Sequence, residues 1–291
     1  METRWLYRTS ENFHELREAA MDTCVIPMGC VEKHGLHLPI GTDIIAASHV
    51  AYVASQMETF CVFPDFTFGD FPENCPGAPA GTITIKLETQ MNLLEEICEQ
   101  IARHGYKKII IYNGHGGNRA WLQAFAGRLY NKKRNFVFGK MEVELPLPHA
   151  MAKVILEKGE SAFPELTKED VNLILKYHEE SMTGGHACMS ETAYIMGIEP
   201  KSVHLDRLGI ESGANLHKAD YLLNAGIMLR DGGWGINYPN AYACDPDPIG
   251  CNERIGKACI RMEAERVAAA MKLFKEDKNV LTWHEEMQKG W

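Results

Sequence analysis

The sequence changes from apolar to polar within one continuous stretch, Thr23-Cys-Val-Ile-Pro-Met-Gly-Cys-Val-Glu-Lys-His-Gly-Leu-His-Leu-Pro-Ile-Gly-Thr-Asp43. Residues Thr23–Met28 form a short apolar run that ends at Gly29, which is the pattern of a buried strand. The remainder is rich in Gly and polar side chains, which is the pattern of a loop. The stretch therefore predicts a buried strand whose carboxyl end leads into a polar loop.

Similar runs elsewhere indicate that strands alternate with helices. Further strands are predicted at Phe60–Phe63, Lys108–Tyr112 and Asn135–Phe138. Apolar residues at helical spacing predict helices around Leu93–Ala102 and Trp121–Leu129, from near Thr167, and over Glu253–Phe274. This order predicts an α/β fold with a parallel or mixed sheet covered by helices. No clear linker interrupts the pattern, so we predict a single domain over residues 1–291.

The overall composition restricts the classes of partner. The net charge is −9, which disfavours a nucleic-acid partner because phosphate binding needs clustered Lys and Arg. No apolar run approaches the roughly 18 residues of a membrane helix, so no membrane partner is expected. Met1–Ser10 lacks the apolar segment of a signal peptide, so we expect a cytoplasmic location.

The loop after the first predicted strand places metal-binding side chains close together. Glu32, His34 and Asp43 offer the carboxylate and imidazole groups that divalent metals bind in combination. Glu32 and His34 are two residues apart, so in an extended chain their side chains point to the same side. Gly35, Pro39 and other turn-forming residues would bend the chain so that Asp43 returns to the same place.

Two further Gly-rich segments each supply a histidine. Asn113-Gly-His-Gly-Gly-Asn118 follows a predicted strand and carries His115, and Gly184–Thr192 carries His186 and Glu191. A histidine between glycines is poorly suited to a core role, since the glycines allow the backbone to approach a ligand closely. One histidine alone is usually structural or solvated, whereas this combination indicates a metal site.

At this point the sequence resembles the creatininase (creatinine amidohydrolase) family. The pattern Gly-x-x-Glu-x-His-Gly-x-His-Leu-Pro-x-x-Thr-Asp over residues 29–43 looks like the metal-binding segment of that family. Three further pieces agree in order, namely Pro79-Ala-Gly-Thr-Ile83, Asn113–Asn118 and His186-Ala-x-x-x-Glu-Thr192. Gly233-Trp-Gly-Ile, before the last helix, is a weaker match. The resemblance spans roughly residues 22–275.

The resemblance implies a three-layer αβα fold, a homo-oligomer that is often a hexamer, and two ions of zinc, manganese or iron. Carried over by motif, Asp43 would bridge the two ions, Glu32 and His115 would hold one, and His34 would hold the other. His186 matches the catalytic histidine of the family. Glu191 stands where many members have an acidic residue close to the metals, so it is a candidate for both catalysis and metal binding.

One position departs from creatininase itself. Creatininase has an acidic metal ligand two residues after its equivalent of His115, and here that position is Gly117. Either Glu191 supplies the missing carboxylate or the second metal binds weakly. The two glycines resemble other branches of the family, which include formamide deformylases, peptide-maturation proteases and enzymes that open oxidised inositol rings.

The resemblance therefore predicts an enzyme, a metal-dependent hydrolase of a small cyclic or amide substrate. Its attacking group would be a metal-activated water, with His186 as proton shuttle. Two alternatives stay open: a hydrolase that opens an oxidised inositol by carbon–carbon cleavage, and a non-catalytic metal-binding protein on the same fold.

Several neighbouring residues have more than one interpretation. His37 either orients a ligand or makes a structural hydrogen bond, and His49 is expected to be structural. Cys30 and Cys188 flank the proposed ligands but are expected to lie outside the ligand set, because carboxylate and imidazole groups already account for it. The loop Gly232–Pro239, with Trp234, either covers the site or makes packing or oligomer contacts.

Overall fold

A central sheet of four parallel strands organises the computed structural model, which describes residues 1–71, 81–180, 185–229 and 233–289. The strands are β1 (Thr23–Met28), β2 (Cys61–Val62), β3 (Lys108–Asn113) and β4 (Val137–Glu142), in the order β2-β1-β3-β4. β1 and β3 are buried along their whole length, as expected for the inner strands of a sheet covered on both faces.

Eleven α-helices occur in the described part of the chain. They are α1 (Phe13–Ala19), α2 (Thr42–Met57), α3 (Leu87–Arg103), α4 (Asn118–Leu129), α5 (His149–Lys158), α6 (Lys168–Glu179), α7 (Met189–Ile198), α8 (Asp220–Asn224), α9 (Trp234–Asn237), α10 (Glu253–Glu276) and α11 (Asn279–Met287). The predicted start of α6 is correct, since the Thr167 side chain accepts a hydrogen bond from the Asp170 amide in a capping box.

The two faces of the sheet bury two separate apolar clusters. Side chains alternate along each strand, so Ile26 and Ile109 point into one cluster while Val25 and Ile110 point into the other. Helices α1, α3 and α4 cover the first face, and α2, α5, α6, α7 and α10 cover the second. The predicted α/β fold with a helical layer on each side of the sheet is thus confirmed.

The strand order also determines where a crevice forms at the edge of the sheet. After β1 the chain moves to β2 on one side, and later returns to β3 on the other side of β1. The loops that follow β1 and β3 therefore open away from each other at the carboxyl edge of the sheet. Such a reversal point creates a crevice in which α/β proteins bind ligands. Both histidine-bearing loops predicted from the sequence lie at this crevice.

Some predicted segments fall partly outside the described residues. This applies to Pro79 and Ala80 of the family-like motif at residues 79–83, to Gly184 before His186, and to Gly232 before Trp234. Within the described ranges, none of the helices has the length and apolar character needed to cross a membrane. A single domain over residues 1–291 stays a prediction.

Candidate metal centre

Asp43 lies in the first turn of α2, directly beneath the ends of β1 and β3. Met28 and Asn113 pair in the sheet, so the residues that follow them, Gly29 and Gly114, lie side by side. A Cβ atom on Gly29 would come within 2.8 Å of the Asp43 Cβ, and one on Gly114 within 2.7 Å of the Asp43 carbonyl oxygen. These two glycines therefore allow Asp43 to approach both strands.

The two carboxylate oxygens of Asp43 face two different sets of donors. Its Oδ1 lies 3.0 Å from His34 Nε2, and its Oδ2 lies 3.1 Å from His115 Nδ1. Glu32 Oε1 approaches the same His115 nitrogen at 2.7 Å, and Glu191 Oε2 lies 3.8 Å from His34 Nε2. The five side chains thus form two adjacent sets that share Asp43.

Main-chain carbonyls determine which ring nitrogen of each histidine faces these sets. His34 Nδ1 lies 3.2 Å from the Glu32 carbonyl oxygen, and His115 Nε2 lies 3.0 Å from the Asp70 carbonyl oxygen. A carbonyl only accepts, so these nitrogens carry the protons. In the neutral rings, His34 Nε2 and His115 Nδ1 then carry the lone pairs that a metal-binding imidazole needs.

Two carboxylate oxygens of the centre are buried without a hydrogen-bond partner among the described residues. They are Glu32 Oε1 and Asp43 Oδ2. Glu32 Oε1 instead faces the lone pair of His115 Nδ1 at 2.7 Å. Two acceptors at that distance repel each other unless a proton or a metal ion lies between them. The donor set therefore fits a divalent metal, with oxygen and nitrogen ligands typical of zinc, manganese or iron.

The pKa values of the buried groups point the same way. Burial acts to lower the pKa of His34, but the carboxylates of Asp43, Glu191 and Glu32 outweigh it and raise it to about 10. The pKa of His115 rises well above its usual value by the same balance of burial and carboxylates. Burial raises the pKa of Asp43, yet the two histidines reverse this and hold it well below its ordinary value. The centre attracts positive charge.

Glu191 reaches the centre from the first turn of α7. Its Oε2 accepts a hydrogen bond from the Ala187 amide, which holds the carboxylate against the amino end of the helix. Burial is the largest cause of a raised pKa for Glu191. The charge of His34 lowers the pKa and the nearby Asp43 carboxylate raises it, and the result is a pKa of about 7. The structure places Glu191 with His34 and Asp43, where the resemblance left the second ion short of a carboxylate.

His186 lies beside the two donor sets. Its ring stacks on His34 with centroids 4.0 Å apart, and Trp234 meets its other side edge-on at 5.2 Å. Its Nε2 donates a hydrogen bond of 2.7 Å to the Lys33 carbonyl oxygen, so Nδ1 is the ring nitrogen that can accept a proton. Burial and the nearby His34 lower the pKa of His186 to about 4, which keeps the ring neutral near pH 7.

The loop that carries His115 is held by two asparagines. The Asn118 side chain donates to Asn113 Oδ1 and accepts from the Asp70 amide, so Asn118 positions the same residue whose carbonyl binds His115. Asn113 donates in turn to the His115 carbonyl and to Glu142. The residue types alone predicted no role for these asparagines. Their place at both ends of the Gly-rich motif was the available signal.

A cavity of about 1470 Å³ opens onto the centre. Its lining includes Glu32, Asp43, His115, His186 and Glu191. The lining also contains apolar side chains, those of Phe71, Val143, Leu145, Leu229, Trp234 and Ile236, and polar ones, those of Asn113, Arg119, Glu142, Glu144 and Lys218. The centre is thus accessible to a molecule of substantial size.

The remaining sequence interpretations have simple structural counterparts. His37 Nε2 lies 3.1 Å from the Thr192 hydroxyl, next to Glu191, so it can orient that part of α7. His49 is half-buried in α2, away from the donor sets. The Lys33 ammonium group pairs with the Glu211 carboxylate at 2.6 Å. Trp234 lines the cavity, and whether its loop covers the site or makes packing contacts stays a prediction.

A comparison with known families matches most of the chain. The sequence profile described as creatininase, creatinine amidohydrolase, matches residues 7–271. The match includes every residue of the two donor sets.

Curated relatives match over shorter segments. The creatinine amidohydrolase of Pseudomonas putida is 27% identical over 38% of this chain and 44% of its own length. The mycofactocin precursor peptide peptidase of Mycobacterium tuberculosis is 32% identical over 38% of this chain and 47% of its own length. The 3-dehydro-scyllo-inosose hydrolase of Thermotoga maritima is 30% identical over 33% of this chain and 30% of its own length. The matched segment spans about half the length of these relatives, or less.

Solved structures match over nearly the whole chain. A tryptophan-to-alanine variant of creatininase superposes with a TM-score of 0.69 at 16% identity, covering 95% of this chain and 100% of that one. A manganese form of creatininase and a zinc–zinc form of a glutamate-to-glutamine variant each superpose with a TM-score of 0.65 at 15% identity, with the same coverage. The fold is therefore shared with proteins that hold manganese or zinc.

Proposed function

Because this chain belongs to the creatininase (creatinine amidohydrolase) family, we propose that it is a metal-dependent hydrolase that cleaves an amide bond in a linear or cyclic substrate. The observation that carries the proposal is the position of Asp43. Its two oxygens lie 3.0 and 3.1 Å from His34 Nε2 and His115 Nδ1, as expected of a carboxylate shared by two ions.

Each donor set would hold one ion. Glu32, His115 and Asp43 Oδ2 would bind the first, and His34, Glu191 and Asp43 Oδ1 the second. Zinc, manganese or iron at these positions would supply Lewis acidity that polarises a substrate carbonyl and activates water. The protein contributes rigid placement, since both histidines are locked by main-chain carbonyls and Asp43 is held by the start of α2.

His186 would carry the proton that leaves the attacking water. It is neutral near pH 7 and accepts at Nδ1, while its Nε2–H stays on the Lys33 carbonyl. The protonated ring can then donate to the departing amine. The stacked ring of His34 and the edge of Trp234 hold the imidazole in one orientation during both transfers.

The cavity walls favour an amide over a polyol. Trp234 and Phe71 give the pocket aromatic surface, which suits a flat heterocycle or the side chains of an amide substrate. The cavity also exceeds the roughly 300–1,000 Å³ of a typical small-ligand site, so the amide can belong to a larger molecule. The similarity to a creatinine amidohydrolase and to a peptide peptidase supports carbon–nitrogen cleavage.

A second candidate is the ring-opening hydrolysis of an oxidised inositol. Polar residues in the cavity lining, among them Arg119, Glu142 and Lys218, offer hydrogen-bond partners for several hydroxyl groups. The similarity to an inosose hydrolase supports this alternative. Turnover on a panel of amides, cyclic amides and cyclic polyol ketones distinguishes the two, since amide cleavage releases an amine whereas ring opening yields only a carboxylate. Metal binding without turnover on any of them would favour a non-catalytic protein.

The Asp43→Asn variant tests the shared carboxylate. We expect bound metal, measured by elemental analysis, to fall by at least one ion per chain, and turnover to fall by more than about 100-fold. The exposed Asp206 lies outside the cavity, so Asp206→Asn serves as the matched control and should keep both properties. Full metal content and undiminished turnover in Asp43→Asn would contradict the proposal.

The His186→Gln variant separates proton transfer from metal binding. Loss of the proton acceptor should reduce turnover by about 10²- to 10⁴-fold, while the metal content stays unchanged because the ligand sets remain intact. A variant that loses its metal would instead identify His186 as a ligand, which its proximity to Glu32 and His34 makes a meaningful alternative.

A further inference from the structure

Cys30 lies against the first donor set although the sequence analysis left it outside the ligands. It follows Gly29 at the end of β1 and is completely buried. A sulfur, a carboxylate oxygen and a ring nitrogen, from Cys30, Glu32 and His115, all lie within 4.8 Å of one another. Donors around a tetrahedral zinc ion are separated by about 3.5 Å, as follows from its bond lengths. The sulfur is therefore within reach of an ion held by this set.

The surroundings of Cys30 leave its sulfur little freedom. A Cβ atom on Gly69 would lie 2.6 Å from the Cys30 Cβ and 3.0 Å from its Sγ, so this glycine makes room for the thiol. Burial raises the pKa of the Cys30 thiol, with His115 and a hydrogen bond from the Gly69 amide acting against it, so the sulfur would give up its proton only to a bound ion. The side chain is held in place by its packing.

An independent observation concerns the Glu32 carboxylate of the first donor set. Glu32 is only 1% exposed, and among the described residues its Oε1 has no hydrogen-bond partner. Gly117, two residues after His115, has no side chain to add to the set. The first set therefore combines a buried oxygen that has no hydrogen-bond partner within the described ranges with a buried sulfur nearby.

We propose that Cys30 is a ligand of the ion held by Glu32, His115 and Asp43, and that its thiolate makes this site selective for thiophilic ions such as zinc over manganese. The proposal rests on the metal centre of the proposed function. On binding, the S–H bond breaks, a sulfur–metal bond forms and the proton passes to the solvent. Soft sulfur ligands select zinc, whereas manganese prefers oxygen.

Cobalt(II) provides the probe. The full chain is stripped of metal with a chelator and titrated with Co²⁺ while its absorption spectrum is recorded. Visible ligand-field bands report occupancy whatever the ligands, whereas a near-ultraviolet charge-transfer band requires a thiolate. Wild type is expected to show both. Cys30→Ser should keep the visible bands and lose the charge-transfer band. Cys98→Ala, which removes an equally buried thiol on α3, should keep both.

Metal competition provides a second readout. With zinc and manganese supplied together, we expect wild type to retain zinc. In Cys30→Ser, the ratio of bound zinc to bound manganese should fall by about tenfold or more. Thermal unfolding of the serine variant checks that it is folded.

Three results would overturn the assignment. They are visible bands without a charge-transfer band in wild type, a charge-transfer band that survives in Cys30→Ser, and an unchanged metal preference. All three leave the proposed hydrolase intact. An absence of any cobalt bands in folded wild type would instead remove the proposed function together with this inference.

Discussion

Gly117 is a residue whose lack of a side chain has a structural cause. The family resemblance places an acidic ligand of creatininase at this position. Here a Cβ atom would lie 2.5 Å from His115 Nε2 and closer still to the Asp70 carbonyl oxygen, which accepts the hydrogen bond of that nitrogen. The contact that orients His115 therefore occupies the space that an acidic side chain would need.

Paired alanine substitutions test this conclusion. Gly117→Ala should displace the Asp70 carbonyl or the His115 ring and weaken metal binding by about 10- to 100-fold, the usual cost of losing an orienting partner. Gly116→Ala should change little, because a Cβ there has no neighbour within 4 Å. The measurement is metal affinity by competition with a chromophoric chelator. Equal affinities in the two variants would contradict the prediction.

Side-chain chemistry allowed the centre to be anticipated only in part. Glu32, His34 and Asp43 stand close together in sequence, so their types and spacing suggested a ligand set. Their roles as ligands stay a prediction. The contribution of the Asp70 carbonyl to His115 left no trace in the sequence, since any residue has a carbonyl. Cys30 was set aside because carboxylate and imidazole groups already accounted for the ligand set.

At the scale of elements, α7 depends on its contact with α10. Gly197 of α7 and Gly256 of α10 face each other, and a Cβ on Gly256 would lie 2.7 Å from the Gly197 Cα. The two backbones touch at this point. Since Glu191 lies in the first turn of α7, this distant contact helps to determine where the carboxylate lies.

Substitutions of two helical glycines should have opposite effects. Gly256→Ala forces α10 and α7 apart and should destabilise the fold by about 1–3 kcal/mol. Gly127→Ala should stabilise it by about 0.5–1 kcal/mol, because Gly127 is exposed in α4 with open space around it, and alanine favours the helix. Urea unfolding followed by circular dichroism measures both. A stabilised Gly256→Ala variant would show that the helices are not in tight contact.

Strand positions were predicted better than strand ends. The strand predicted at Thr23–Met28 has those bounds, because a continuous apolar run marks it. The last strand was predicted at Asn135–Phe138 but extends over Val137–Glu142. The part after Phe138 contains Gly139 and charged residues and is only half-buried, as an edge strand allows. Hydrophobicity alone could not reveal it.

At the scale of the whole molecule, the centre concentrates buried negative charge. Glu32, Asp43 and Glu191 are all at most 9% exposed, and they meet in one place. A metal ion that binds only the folded chain stabilises it, by about 2.7 kcal/mol at a free concentration 100 times its dissociation constant. Removal of metal should therefore lower the melting temperature of the protein as a whole.

The size of that effect should depend on pH. Without metal, the raised pKa of His34, about 10, means that a proton occupies the ring at neutral pH. This proton stabilises the metal-free fold fully below the unfolded pKa of about 6.5, and the contribution disappears as pH rises towards 10. Metal must displace the same proton, so its binding strengthens with pH.

Melting temperatures with metal and with chelator should thus diverge between about pH 6 and pH 9. Asp43→Asn provides the control, because it weakens both the metal site and the carboxylate attraction that raises the pKa of His34. A constant difference across this range would show that protons and metal do not compete.

A homo-oligomer and a cytoplasmic location stay predictions.

The order of the donors along the chain has a consequence for biosynthesis. A ribosome delivers Glu32, His34, Asp43 and His115 well before Glu191, and α10, which packs most closely on α7, comes later still. The donors of the first ion can therefore come together around β1 and β3 before the ribosome has made α7 and α10, on which the second ion depends. Maturation of the centre would follow translation in two stages, and completion of α10 would mark the second.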